Sequence, residues 1–385
     1  MSDAASLMRD LTARAKRAGE TAEPLLEGLG EDDGARQALR ILAEAGLLAW
    51  TVPASCGGAD PRGAAPPDDL CVRALCALRA ACAYHYGLLD LMLAMQGLGS
   101  HALARAGSPA LRAEILPRVA AGDSIAAFAL TEPDAGSDLG RIATRAERSA
   151  SGWTLSGHKT LISNAGIADF YTLLARTSGS PADGGRGALT LFFLPATASG
   201  LTVHRFEVSA PHPIGELHLS NVEVPDAQRL GEIGSGLDLA LATLARFRAT
   251  VAAAATGFAR RALDESLRHL RSREQFGRPL STFQALRFDL AEMDVELRAA
   301  ELLTAEAAET VDRGEPATAQ VARAKLFATE AASRICDRAI QHQGGLGVRR
   351  GVVVERLWRE ARALRIYEGT SEVQKLILAR EILSD

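Results

Sequence analysis

Apolar positions along the chain change their period twice, and the changes divide it into three regions. Up to about residue 125 they recur every three or four residues. In "ARQALRILAEAGLLAW", Leu39, Leu42, Ala45 and Leu47 or Leu48 share one helical face. The Gly- and Pro-rich "VPASCGGADPRGAAPPDD" interrupts the pattern, and "LCVRALCALRAACAYHYGLLDLMLAMQGLGSHALARAG" resumes it. "SPALRAEILPRVAAG" predicts a short helix with a Ser-Pro start and a Gly stop. From about 126 to 230 the segments are short and rich in β-branched and aromatic residues: "GWTLSGHKTLISNAG", "DFYTLLART", "ALTLFFLPA", "GLTVHRF" and "GELHLSNVEVP". "ELHLSNVEV" alternates, with Leu217 and Leu219 on one side, so a small and mostly antiparallel sheet is expected. Long helices return from about 235. "GLDLALATLARFRATVAAAATGFARRALDESLRHLRSR" reads as one helix whose small residues suit close packing, and further helices are expected over 282–312, 316–343, 351–363 and 371–384. Their short connections suggest an antiparallel bundle.

Helices, then sheet, then helices gives a mostly α chain with a central β domain, divided as 1–125, 126–232 and 233–385. A length of 385 residues suits such a division. Hydrophobic residues make up 47% and charged residues 23%, the balance of a soluble globular protein. A net charge of −4 offers no nucleic-acid footprint and no polybasic membrane anchor. No uninterrupted apolar run reaches the roughly 20 residues that span a bilayer. "MSDAASLMRDLTARAKRAGE" lacks the apolar segment of a secretory signal, and its interspersed acids read as a surface helix rather than a transit peptide. The five cysteines, Cys56, Cys71, Cys76, Cys82 and Cys336, form no CxxC pair. Even with His85 nearby they read as packed core thiols in a reducing compartment, so no metal site and a cytoplasmic location are expected.

Four stretches carry candidate chemistry. "AFALTEPDAGSDLG" (127–140) holds a turn with free backbone N–H groups and the hydroxyls of Thr131 and Ser137 in or beside it, suited to a flat ring's polar edge or a pyrophosphate. "RSREQFGRPLSTFQ" (271–284) offers Arg273, which can fork to a phosphate, beside Gln275, Phe276 and Gln284. "IQHQGGLGV" (340–348) offers Gln341 and a double glycine, without the spacing or preceding strand of a dinucleotide fingerprint; a helix C-cap explains part of it. "YEGTSEVQ" places Glu368 on a loop before a helix that Ser371 and Gln374 would open as a capping box. Such a loop, held by rigid helices and facing an anion-binding helix N-terminus, suits a general base. Taken alone, each stretch also reads as an ordinary turn, helix end or solvated loop.

Taken together, in this order and across nearly the whole chain, they resemble the acyl-CoA dehydrogenase family. The resemblance rests on "VPASCGG", "AFALTEPDAGSD", "GWTLSGHKTLISNAG", "SREQFGRPLSTFQ", "QHQGGLGV" and "RIYEGTSEVQKLILAR". It implies an N-terminal helical domain, a small β-sheet or barrel domain and a C-terminal four-helix bundle. It further implies FAD-dependent oxidation of an acyl-CoA thioester to the trans-2-enoyl-CoA, with Glu368 removing the α-proton and the β-hydrogen leaving as hydride to flavin N5. The backbone N–H of Glu368 and a ribityl hydroxyl would stabilise the enolate-like oxygen. Some relatives carry the base on the long helix, but here that place reads "LARFRATVAAA", with Arg248 and no carboxylate. Nitroalkane-oxidising relatives use Asp where this chain has Glu.

Carried over motif by motif, Phe128, Leu130, Thr131, Gly136, Ser137, Leu161 and Ser163 would surround the flavin. Arg273, Phe276, Gln341 and Gly345 would reach the FAD of a neighbouring subunit, and Thr370 and Glu372 would hold its AMP end. Ser137, Met95, Arg248, Tyr367 and Gly369 are expected near substrate, with "HYGLLDLMLAMQG" lining an acyl end that is apolar apart from Asp90. Shared cofactor implies a homo-oligomer, a tetramer built as a dimer of dimers, with an electron-transfer flavoprotein as acceptor. Two departures stand out. Leu161 replaces a Trp the family commonly has beside the flavin, which opens the reading of an oxidase or monooxygenase on the same fold. "VSAPHPIGEL" (208–217) replaces a segment that can neighbour the CoA chain, which opens a carrier-protein-bound acyl group as substrate. A non-catalytic nucleic-acid-binding relative is a third reading, opposed by the retained Glu368 and the acidic balance.

Overall fold

The structure is a computed structural model that describes residues 3–61 and 63–384; Met1, Ser2, Arg62 and Asp385, which fall within three of the segments read above, lie outside it. Ten helices are assigned among the described residues: α1 (Asp3–Leu26), α2 (Glu31–Glu44), α3 (Val72–His85), α4 (Gly87–Ala106), α5 (Pro109–Ala121), α6 (Gly236–Ser272), α7 (Gln284–Asp312), α8 (Thr318–Gln343), α9 (Val353–Leu364) and α10 (Ser371–Leu383). The strands are β1 (Ala126–Ala129), β2 (Arg145–Arg148), β3 (Gly152–Ser163), β4 (Phe170–Arg176), β5 (Leu189–Pro195), β6 (Leu201–Arg205), β7 (Ile214–Pro225), β8 (Arg229–Leu230), β9 (Glu274–Gln275) and β10 (Arg278–Pro279). The chain packs as two compact units, residues 1–23, 72–90 and 246–385 in one, and 24–71 and 91–245 in the other.

The first unit is helical. Its core gathers small and branched residues of α3, α6, α7, α8 and α9, from Val72 and Cys76 through Ala252, Ala255 and Leu297 to Ala332 and Leu357. Alanine-rich faces let helices approach closely. At Gly257 of α6 an added Cβ would stand 2.2 Å from the Ala80 carbonyl oxygen of α3. Gly257→Val is therefore expected to lower stability by about 1–3 kcal/mol through overpacking, readable as a lower denaturation midpoint at unchanged slope. Asp312, at the end of α7, accepts from the N–H groups of Val72 and Arg73 (2.7 and 3.1 Å), capping α3 with a carboxylate distant in sequence. Long and apolar enough to cross a membrane by length and composition, α6 has 61% of that window buried inside the protein, as a core helix does.

The second unit is built on an eight-stranded sheet in the order β6-β7-β3-β2-β4-β5-β8, with β1 beside β4. Most pairs are antiparallel as expected, but β1–β4 and β2–β4 are parallel. Alternation on β7 buries Leu217, Leu219, Val222 and Val224. Gln96 of α4 fastens β1 by donating to the carbonyls of Val119 and Ser124 and accepting from Ala126 N–H.

Several local expectations are corrected. "ARQALRILAEAGLLAW" is not one helix: α2 ends at Glu44 and a short 3-10 turn covers Leu48–Thr51. The next helical run breaks at Tyr86 into α3 and α4. Residues 126–129, not singled out as a strand because a four-residue apolar run carries no readable period, form β1 with every position buried. The N-terminal helix is more than a surface helix; Leu7, Leu11, Ala15, Ala18 and Ala22 bury one stripe. None of the five cysteines forms a disulfide, and four are buried, Cys56 being half-buried, while His85 pairs with Glu23 at 2.7 Å.

Candidate active site

Glu368 lies in the turn between α9 and α10, and its backbone occupies the left-handed region at φ 53°, followed by Gly369 at φ 94°. That conformation is costly for a residue with a side chain and persists only where the surroundings impose it. They do so through one buried and one half-buried cation. Lys325 of α8 donates to the carbonyls of Tyr367 (2.8 Å) and Gly369, and Arg248 of α6 donates through Nε to the Glu368 carbonyl (2.9 Å). Gln374 closes the turn by donating to the Gly369 carbonyl (3.0 Å). Three side chains from three helices thus fix the backbone on which the carboxyl stands.

Glu368 is half-buried, with one carboxyl oxygen enclosed. Glu368 Oε2 is buried and has no hydrogen-bond partner among the described residues. Burial raises its pKa above the usual carboxylate value, and Arg79, Lys325 and Arg248 pull it partly back. Burial lowers Lys325 to about 8, with Glu368 opposing the fall. Tyr367 beside it is pushed up by burial and stays protonated. Below this turn Arg79, 1% exposed, forks onto Asp90 at 2.6 and 2.8 Å and donates to Thr250 at 2.8 Å. Asp90, read from the sequence as a lone acid in an apolar lining, is therefore a neutralised partner.

Lys325 and Arg79 escaped the sequence reading. A signal existed for the first: the chain carries only four lysines, Lys16, Lys159, Lys325 and Lys375, among 43 basic residues. Where arginine is the default cation, a lysine inside an alanine-rich helix is conspicuous. Arg79 is flanked by ordinary helix residues and offers no comparable mark. Lys325→Met removes a cation that favours ionised Glu368, so the acid limb of a kcat/KM profile is expected to move to higher pH. An unmoved limb would show that Lys325 acts on the turn alone.

The helix after the turn starts at Ser371 as expected, but its cap is a different residue. Thr370, rather than Ser371, is the N-cap, accepting from Val373 N–H at 3.3 Å, while Ser371 donates to Glu330 at 2.6 Å. Either hydroxyl can cap a helix, and the tertiary partner Glu330 claims the serine. Glu372, Arg273, Gln341 and Gly345 are exposed, and Gly344 at φ 58° ends α8. Phe276 sits at the tip of the β9–β10 hairpin at φ 54°, 92% exposed.

In the second unit Phe128 and Leu130 are buried on and just after β1, Thr131 is half-buried, and Gly136 and Ser137 are exposed on the turn that follows. That turn is pinned to β3: Thr160 N–H donates to the Thr131 carbonyl (3.0 Å), and buried Lys159 donates to the Leu130 carbonyl and to Glu132 (2.9 and 2.8 Å). The sequence segments 128–137 and 159–163 are thereby brought together. β3 bulges between Lys159 and Ile162, and there Leu161 takes φ 56° and points outward, 55% exposed. Ser163 Oγ lies 2.7 Å from Nε2 of His212, a histidine of the departing 208–217 segment that burial lowers to about 4 and keeps neutral. His212 was not singled out from the sequence. Met95 is 5% exposed in α4. The residues fit a flat cofactor's edge: nothing lies within 4 Å of a Cβ added at Gly136, and the same turn carries the hydroxyl of exposed Ser137.

Three family models match the chain in order: the N-terminal domain of acyl-CoA dehydrogenase at 9–123, its middle domain at 127–222 and its C-terminal domain at 234–383. A cyclohexane-1-carbonyl-CoA dehydrogenase of Geobacter metallireducens is 35% identical over 94% of this chain and 92% of its own. The structure of butyryl-CoA dehydrogenase from Megasphaera elsdenii superposes with a TM-score of 0.88 at 29% identity, covering 100% and 99% of the two chains. That of the prolyl acyl carrier protein oxidase AnaB superposes with a TM-score of 0.86 at 27% identity, covering 97% and 99%. With helices, sheet and helices in the family's order and matches over nearly its whole length, this chain belongs to the acyl-CoA dehydrogenase family of FAD-dependent oxidoreductases.

Proposed function

We propose that the protein dehydrogenates an acyl-CoA thioester to its trans-2-enoyl-CoA, with Glu368 as the base that takes the α-proton. The observation that carries this reading is the Glu368 carboxyl, its Oε2 enclosed and unpartnered among the described residues and its pKa raised, on a turn held by Lys325 and Arg248. A base must be strong enough to take the proton yet ionised at working pH, and burial balanced by three cations supports both. The Glu368 N–H donates to no protein acceptor among the described residues, which suits it to the developing thioester oxyanion. Bound FAD supplies the acceptor for the β-hydride. Phe128, Leu130, Thr131, Gly136, Ser137, Leu161 and Ser163 would hold its ring, and Thr370 and Glu372 the AMP end. Ser137, Met95, Arg248, Tyr367 and Gly369 would hold the substrate.

Arg273, Phe276, Gln341 and Gly345 are assigned to a neighbouring subunit's FAD in a tetramer. Two features support association: the exposed Phe276 tip, and Phe288, Val295 and Leu302, exposed at seven-residue intervals on α7. The reading retains the three-region division at 125 and 232, a cytoplasmic location and an electron-transfer flavoprotein as acceptor.

A second reading, an oxidase acting on a carrier-bound acyl group, draws on exposed Leu161 and on the likeness to AnaB. One experiment separates them. The purified yellow protein is titrated anaerobically with a panel of acyl-CoAs, then opened to air. Bleaching followed by slow reoxidation supports the dehydrogenase, and reoxidation within one turnover supports the oxidase. No bleaching by any acyl-CoA would remove the first reading.

A further inference from the structure

The outer face of β3, β7 and β6 concentrates histidine. The chain has eight histidines, and His158, His204 and His218 stand on these three adjoining strands with Glu216 among them. Strand register sets this arrangement: His158 is paired directly with His218 across β3–β7, and His204 with Glu216 across β6–β7. Period-two alternation then turns these residues to one face while Lys159, Leu217 and Leu219 face inward, buried.

His158 Nε2 lies 3.3 Å and His218 Nε2 3.5 Å from the same oxygen, Glu216 Oε2. Donor atoms bound at a tetrahedral zinc, each about 2.0–2.1 Å from it, stand about 3.3 Å apart, so these separations match a shared ion. All three donor atoms fall within 4.8 Å of one another. His158 Nε2 is itself enclosed and makes no well-formed hydrogen bond. The imidazoles of His158 and His218 stack at 4.1 Å, and His204 meets His218 edge-on at 4.9 Å. Thr160 Oγ1 donates to Glu216 Oε1 at 3.1 Å, orienting the carboxylate so that Oε2 is the free ligand atom. The three side chains are 35%, 32% and 40% exposed, open to a solute ion.

We propose that His158, Glu216 and His218 form a binding site for one divalent transition ion of the zinc class, which cross-links β3 to β7. Two imidazoles and one carboxylate favour zinc, copper(II), nickel(II) or cobalt(II) over magnesium or calcium, and three protein ligands leave a position for water. Residues 158 and 216–218 are too far apart in sequence to form a ligand motif, which is why no spacing pattern announces the site.

The test uses FAD-loaded protein freed of metal with a chelator, then titrated calorimetrically with zinc chloride and spectroscopically with cobalt(II) chloride. One ion per chain is expected, with visible cobalt bands of a low-coordinate N/O site and a higher Tm that chelator reverses. His158→Ala and His218→Ala should each abolish stoichiometric binding, and Thr160→Val should weaken it about 10–100-fold. His269→Ala, a histidine elsewhere, should leave it intact. Absence of stoichiometric binding to the unaltered protein overturns the proposal. So does binding that survives in the doubly substituted His158→Ala/His218→Ala protein, or that is lost equally in His269→Ala.

Discussion

Glu368→Gln is expected to retain FAD and its yellow colour but to lose bleaching by acyl-CoA, with the rate of reduction falling between about a hundred- and ten-thousand-fold. The amide keeps the size of the carboxyl and loses its basicity. The carbonyls that Lys325 and Arg248 hold belong to the backbone, so the turn should survive the exchange. The pH dependence has a definite sign. Burial raises Glu368 above the usual carboxylate range, so activity of the unaltered protein should fall as pH drops through that raised value, and not only near pH 4. Stopped-flow absorbance of the flavin band measures both effects. A Gln variant that bleaches within tenfold of the unaltered rate would show that the base lies elsewhere.

The second large effect concerns stability. Arg79→Met is expected to cost about 3–5 kcal/mol, because it strands the Asp90 carboxylate inside the protein without its fork of hydrogen bonds. Asp90 is 4% exposed and Arg79 1%, so neither charge can turn to water. Thr250 Oγ1 loses the donor it accepts from in the same step and keeps only its bond to the Phe247 carbonyl. Replacing both, Arg79→Met with Asp90→Leu, removes the two charges together and should recover much of the loss, since an apolar pair often substitutes for a buried ion pair at little cost. Chemical denaturation of the two single variants and the double variant supplies the cycle. Equal destabilisation in the double variant would mean that the pair's shape, rather than its charge balance, is what the core requires.

Much was legible beforehand because it is local. The extents of α6 to α10, the Ser108 cap and Gly122 stop of α5, and the alternation of Leu217 and Leu219 are each set within a few residues. The motifs carrying Glu368, Thr131 and Phe276 were readable for the same reason. Their failures were local ambiguities as well. Thr370 and Ser371 are both competent caps, and only Glu330, forty-one positions away, decides between them. The four apolar residues of β1 have no period, so pairing with Phe170–Leu173 of β4 makes them a strand.

What the chain's order of residues determined by itself was the family, the sequence of helical and sheet regions, and the presence of a loop carboxylate before the last helix. These depend on short-range backbone preference and on side-chain spacing. The tertiary structure alone decided the electrostatic setting of that carboxylate and the pairing of Asp90. It likewise decided the outward turn of Leu161 at a bulge and the meeting of His158 with Glu216 and His218. Each of these depends on groups dozens or hundreds of residues apart, and on burial, which scales a charge's cost by its distance from water. No pattern along one chain encodes that distance until the helices and strands have packed.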